Sequence, residues 1–216
     1  VHFHAYPILS HVSQEKTTEL VGLLTRHQLS SRMYTVPFGE LQQQVVVTAP
    51  PRLRVVLYRR LMMRIAERLA FASGAKALVT GEAVGQVASQ TLENLSVINE
   101  VVTLPVLRPL VGCDKEEITN EAKRIETYDI SIIPDQDCCT LFTPKSPATK
   151  AKRADVEDAE NQLPLAKMID TAIELTERRD FVFPLKEGTC SVSTGLPFRQ
   201  PTEALSRAAD IDIISD

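Results

Sequence analysis

The sequence lacks the marks of a membrane, secreted or wholly basic protein. Tryptophan is absent, which excludes nothing by itself. Four cysteines are too few for the disulfide framework of a secreted domain, so a reducing cytoplasm is the expected compartment. No run is long and apolar enough to span a bilayer, so no membrane association is expected. The opening Val1-His2-Phe3-His4 has neither the basic stretch nor the apolar core of a secretion signal. It reads as a strand entered in mid-domain, as in a truncated chain or a fragment. Basic residues are not in excess either: 24 Lys and Arg stand against 28 Asp and Glu, for a formal net charge of −4. Proteins that coat nucleic acid are commonly basic, so any RNA contact must come from a local patch or a neighbouring domain. There is no internal repeat and no low-complexity tract.

What is present suffices for one ordinary domain. The 216 residues are 44% apolar and 24% charged, which permits a sizeable core in a soluble chain. Leu20, Leu23, Leu24 and His27 recur at helical spacing, and Met33 to Phe38 reads as a strand closed by Pro37 and Gly39. Pro50-Pro51 opens a long helix over about residues 52–72, ended by Gly74. Leu61, Ile65 and Leu69 form its apolar stripe. Residues 77–80 read as a short buried strand followed at once by Gly81. Asp114 and Glu117 form a relative of the capping box, with Ile118, Ala122 and Ile125 turned toward the core. A last helix is expected over about residues 165–178, and an irregular stretch from Phe181 on. Strands alternating with helices imply an α/β fold, a mostly parallel sheet with helices on both faces. Ligands in such folds sit beyond the carboxyl ends of the strands. That rule points to residues 2–5, 38–40 and 81–90.

Four segments can carry chemistry. Gly81 to Thr91, GEAVGQVASQT, follows a strand; its glycines permit close approach of backbone to a ligand, and Gln86, Ser89 and Gln90 offer neutral polar groups. The competing reading is a plain strand-to-helix turn. Arg60, Arg64 and Arg68 form a stripe at spacings of four, with Arg59 off that series. One of the four can reach a phosphate, and a solvated helix face is the alternative. Cys138-Cys139 lacks the spacing of a zinc site or a CxxC redox pair. It is either a reactive thiol beside Lys145 or two small core residues. Residues 145–153, KSPATKAKR, hold four positive charges and read as a phosphate-contact strip or a solvated loop. His2, His4 and His11 are too loosely placed to argue for a metal, and no structural metal is expected.

These segments together resemble the tRNA 4-thiouridine synthase (tRNA uridine 4-sulfurtransferase, thiamine biosynthesis sulfurtransferase) family. The resemblance rests on VHFH at 1–4, VPF at 36–38, RRLMMRIAERLA at 59–70 and VTGEAVGQVASQTLENL at 79–95. It continues through LPVLRPLVGCDKEEI at 104–118, TYDISIIPDQDCCT at 127–140 and PKSPATK at 144–150. It covers roughly residues 1–178 in unbroken order.

The resemblance implies a PP-loop ATP pyrophosphatase domain, Rossmann-like, over 1–180, with 181–216 as a tail. It implies ATP, with Mg2+, as the cofactor, and adenylation of the C4 oxygen of a tRNA uridine followed by attack of a cysteine persulfide. The same sulfur relay feeds the thiamine thiazole. Carried over by position, His2, Phe3, Arg59, Gly81 and Gln90 are ATP contacts, and the sulfur-handling cysteine falls at Cys138 or Cys139. A cysteine desulfurase is the implied persulfide donor, tRNA the implied partner, and a homodimer one way to cover an open sheet edge. The family's SGGxDS phosphate loop is expected just before Val1, and its RNA-binding modules further upstream; the 216 residues contain neither. Two other readings stay open: a non-catalytic nucleotide-binding or sulfur-relay module, and a PP-loop enzyme that adenylates a carboxylate or another base.

Overall fold

The computed structural model describes residues 1–134, 142, 144 and 146–184, together with the backbone of 192–194. In chain order the elements are β1 His2–His4, α1 Val12–Gln28, β2 Ser30–Pro37, α2 Gly39–Thr48, α3 Arg54–Ser73 and β3 Leu78–Val79. There follow α4 Leu92–Asn99, β4 Val106–Leu107, α5 Lys115–Arg124, α6 Tyr128–Ser131, α7 Arg153–Glu160, α8 Leu165–Glu174, β5 Glu177–Val182 and β6 Val192–Thr194.

Two β-α-β units carry the parallel pairings. β1 runs beside β2 with Phe3 opposite Val36, and α1 makes the crossover. β3 runs beside β4 with Leu78 opposite Val106, and α4 makes that crossover. The α/β architecture is therefore the one expected, but the sheet is mixed. β5 pairs antiparallel with β2, Thr35 opposite Glu177, and β6 pairs antiparallel with β5, so the order is β1-β2-β5-β6. The helix expected to reach residue 178 stops at Glu174, and the stretch expected to be irregular from 181 on contributes strand. The cause is the open edge of β2: its backbone groups take partners from β5. The ion pair Arg32–Asp180 (2.9 Å) joins β2 to β5 at a paired position, and Arg178, on the same strand, braces Asp180 at 2.6 Å.

Strand alternation divides β2 between two faces. Tyr34, Val36 and Phe38 enter the main core with α3 and α8, while Met33 and Thr35 are buried on the face that α1 covers. The spine of the core is α3, whose Val56, Leu57, Leu61, Ile65 and Leu69 are all essentially inaccessible. It packs against α2, α4, α7 and α8. Gly74 ends it at φ +76°, a left-handed conformation that glycine adopts without penalty. The capping box at Asp114 and Glu117 forms in both directions at 2.8 Å. The helix it starts, α5, is peripheral, and Ile118, Ala122 and Ile125 are only half-buried. α2 was not anticipated; it buries Leu41, Gln42 and Val45.

Candidate functional site

One cleft of about 720 Å³ runs along β1 and the middle of β2, where Arg32 and Tyr34 line it, to the carboxyl end of β3. One wall is β1, with Val1 and Phe3; the opposite wall is β3 and the residues after it, Leu78 to Glu82; the floor is α3. Phe3 meets Phe38 edge to face at 5.4 Å, and Phe38 meets Tyr58 in the same way at 6.3 Å. These aromatics fix the position of the Phe3 ring, because each edge lies against a partner's electron-rich face. The inner part of the cleft is apolar, with Met62, Met63, Ala66, Leu69 and Ala70.

The polar rim is built on Glu82, which is 4% exposed. Its Oε1 accepts from Arg59 Nη1. Its Oε2 accepts from Arg108 Nε at 2.6 Å and from Thr80 Oγ1 at 2.9 Å. Arg108 also donates to Asn99 Oδ1 at 3.3 Å. A buried carboxylate needs such compensation, since desolvation alone opposes its charge. Arg59 comes from the second turn of α3 and lines the cleft; Arg108 lies at the end of β4, outside the lining.

The segment between β3 and α4 is pinned at several points. Gly85, at φ +82°, makes the turn that lets its N–H reach Gln90 O at 3.1 Å. Val84 N–H donates to Val111 O at 3.1 Å. Thr91 caps α4 by accepting from Asn94 N–H at 3.2 Å. The buried Asn94 side chain donates to Ala88 O and Ala148 O, each at 2.8 Å, and accepts from Ala151 N–H at 2.9 Å. This places Gln90 on the cleft wall with its Oε1 buried and without a hydrogen-bond partner among the described residues. A buried acceptor left in that state costs stability unless a ligand donor meets it. Gly81 lines the same wall, and nothing lies within 4 Å of where a Cβ would stand.

Four of the five expected ATP contacts, Phe3, Arg59, Gly81 and Gln90, thus meet in one cleft. The His2 side chain does not join them. It lies on the other face of β1 with His4, their rings 6.5 Å apart, and its Nδ1 shares a hydrogen bond with Thr17 Oγ1 of α1 at 3.2 Å. His2 is not part of the cleft lining. Cys138, Cys139 and Lys145 lie outside the described residues.

The arginine stripe separates as its spacing implied, but not into a solvated face. Arg60 is 3% exposed and binds Glu160 of α7 through Nε at 2.9 Å and Nη2 at 2.6 Å. Arg64 joins the same carboxylate at 3.2 Å, and Arg68 reaches Asp170 of α8 at 3.1 Å. These three tie helices together. In the basic strip, Lys150 pairs with Glu93 and Arg153 with Glu157, all at exposed positions. Among the described residues no group of three or more His, Cys, Asp and Glu is placed to hold a metal ion. The sequence reading passed over Glu82, although it stands between Gly81 and the polar loop. A lone acidic residue beside a glycine carries no signal until the two arginines are seen to converge on it.

A family model described as Thiamine biosynthesis protein (ThiI) matches residues 1–165. A probable tRNA sulfurtransferase of Thermus thermophilus is 51% identical over 186 residues, which is 86% of this chain and 46% of that protein. Another, from Caldanaerobacter subterraneus, is 47% identical over 170 residues, 79% of this chain and 45% of that protein. The chain therefore spans about half the length of the curated relatives it matches. Among solved structures, a 4-thiouridine synthetase in complex with RNA and with bound ATP is similar. It has 41% sequence identity and a TM-score of 0.78, over 82% of this chain and 47% of that one.

Proposed function

The chain belongs to the ThiI thiamine biosynthesis protein family, and from that premise we propose that it carries the nucleotide-activating core of an ATP-dependent tRNA sulfurtransferase. The observation that carries this reading is the cleft in which a cation, an acceptor unsatisfied among the described residues, an aromatic ring and, just past the carboxyl end of β3, an open glycine converge. Each matches a part of a nucleotide. The Arg59 guanidinium answers phosphate charge, with further N–H donors beyond the one that Glu82 receives. Gln90 Oε1 can accept from a base amino group or a ribose hydroxyl. Phe3 offers a flat apolar surface, and Gly81 lets the ligand approach the backbone.

ATP, when bound, supplies the adenylyl group that turns the uridine C4 oxygen into a leaving group. The protein's own task is to orient the phosphates and exclude water at the rim. We assign sulfur delivery to Cys138 or Cys139, charged with persulfide by a cysteine desulfurase. Mg2+ accompanies the nucleotide, held largely by its phosphates as such ions commonly are. tRNA is the acceptor, and the protein works in the cytoplasm, with a linked part in sulfur supply for the thiamine thiazole. The similar synthetase with RNA and ATP supports the substrate pair. Residues 1–180 form the catalytic unit in this reading, and pairing of two copies is one way to cover its sheet edges.

The test is genetic and chemical. A strain lacking the gene is complemented with the unsubstituted gene, Cys138→Ser, Cys139→Ser or Arg59→Ala, and tRNA 4-thiouridine is measured. The unsubstituted gene restores the modified base, one cysteine variant abolishes it, and Arg59→Ala lowers it roughly tenfold or more, the worth of a charge-assisted contact. Complementation that restores no 4-thiouridine sinks the assignment. Retained ATP binding in that case favours a sulfur-relay or binding module.

A further inference from the structure

Resting on the ATP reading of the cleft, we propose that Glu82 is the positioning residue that aims Arg59 at the nucleotide phosphates. We further propose that Arg108 keeps this pair from being electrically silent. The argument is one of charge and geometry. The Glu82 side chain is 5% exposed, and its two oxygens are divided between two guanidinium groups. Arg59 is 23% exposed and stands on the cleft wall, whereas Arg108 is 16% exposed and is braced from behind by Asn99.

An arginine on an exposed helix face samples many rotamers. A bond from Nη1 to a carboxylate fixed on the neighbouring loop restricts it to those that point along the rim. A single carboxylate would, however, cancel the charge that phosphate needs. Arg108 supplies the second positive charge, so the triad holds one net positive charge at low exposure, where it is weakly screened. Thr80 Oγ1, at 2.9 Å from Glu82 Oε2, completes the carboxylate without adding charge. The ligand class is a polyphosphate: a nucleoside triphosphate or its pyrophosphate product.

The test uses the longest in-frame product that contains this chain, with ATP and adenosine as separate calorimetric probes. Glu82→Leu removes the aim, and ATP binding weakens about tenfold although net charge rises. Arg108→Met leaves Arg59 neutralised, and ATP binding again weakens about tenfold. Adding Glu82→Gln to Arg108→Met restores ATP binding to within roughly threefold of the unsubstituted protein, because the amide oxygen still directs Arg59 and the charge balance returns. Adenosine, which carries no phosphate, binds all forms within about twofold.

Rescue by the double substitution is something a purely structural triad does not produce. A double variant no better than Arg108→Met, or a Glu82→Leu form that keeps full ATP affinity, overturns the proposal. Loss of adenosine and ATP together in Arg108→Met does so too, since it assigns the triad to holding the fold. If the unsubstituted protein binds neither probe, it is the ATP reading of the cleft that fails.

Discussion

Arg59 and Arg60 are neighbours in sequence and face different tasks. A helix turns about 100° per residue, so Arg59 meets the cleft while Arg60 is sealed between α3, α4 and α7. The four-residue spacing of Arg60, Arg64 and Arg68 already separated Arg59 from them. What spacing could not supply was the acid on the far side, 100 residues away at Glu160. His4 shows another property visible only in three dimensions. Burial holds its imidazole below the ordinary value of 6.5; Glu177 opposes this and His11 adds to it. Its Nδ1 accepts the Tyr6 N–H at 3.2 Å, which requires an unprotonated nitrogen there. As pH falls, the unfolded chain takes this proton first. The contribution of His4 is therefore intact above 6.5 and is lost as pH falls below it toward the lower folded-state value. Melting temperature is expected to fall from about pH 7.5 to about pH 5.5, and His4→Gln to flatten that slope. An unchanged slope in the variant assigns the effect to another group.

At the scale of elements, what was legible depended on local signals. Gly74, Pro51 and the Asp114–Glu117 box mark helix ends by chemistry confined to a few residues, and the structure has all three where expected. Residues 145–153 read for charge alone give no sign of α7, and the helix that begins there has four acidic residues of its own, Asp155, Glu157, Asp158 and Glu160. β5 differs from expectation at both ends, Glu177 and Arg178 reading as the end of a helix and Phe181 and Val182 as irregular chain, since ERRDFV is a strand only by virtue of its partner β2. The assignment of sulfur delivery to Cys138 or Cys139 is a proposal from resemblance alone, since both lie outside the described residues. α3 is tied over a long range as well, through Glu160, which takes both Arg60 and Arg64. Glu160→Gln leaves Arg60 buried with the Val97 carbonyl at 2.6 Å and, as its one remaining carboxylate among the described residues, Glu100 at 3.8 Å. It is expected to cost about 3 kcal/mol, as breaking a buried pair usually does, read as a lower urea midpoint with an unchanged slope. Asp170→Asn, which releases the partly exposed Arg68 pair, is expected to stay below about 1 kcal/mol. Equal effects from the two substitutions would contradict the assignment of Arg60 as the buried tie.

The whole molecule is organised around the space between its two parallel pairs. Among the described residues β1 pairs only with β2, and β3 only with β4; the cleft lies between β1 and β3. Its inner half is apolar and its rim is charged, which is the profile of a sheet interior below and a phosphate site above. One more parallel strand between β1 and β3 would join the two pairs into one sheet. The loop beyond its carboxyl end would then stand at the same rim as Arg59 and Gly81. The family resemblance expects the SGGxDS phosphate loop immediately before Val1, and a loop of that kind presents backbone N–H groups to phosphate. A product extended upstream through such a loop is therefore expected to bind ATP at least about tenfold more tightly than the 216-residue chain. Adenosine binding is expected to change much less, because Phe3 and Gln90 are present in both. Equal ATP affinity in the two forms would leave the Arg59–Glu82–Arg108 triad as the principal phosphate contact. A gain confined to adenosine would instead show that the added segment completes the apolar wall and not the phosphate site.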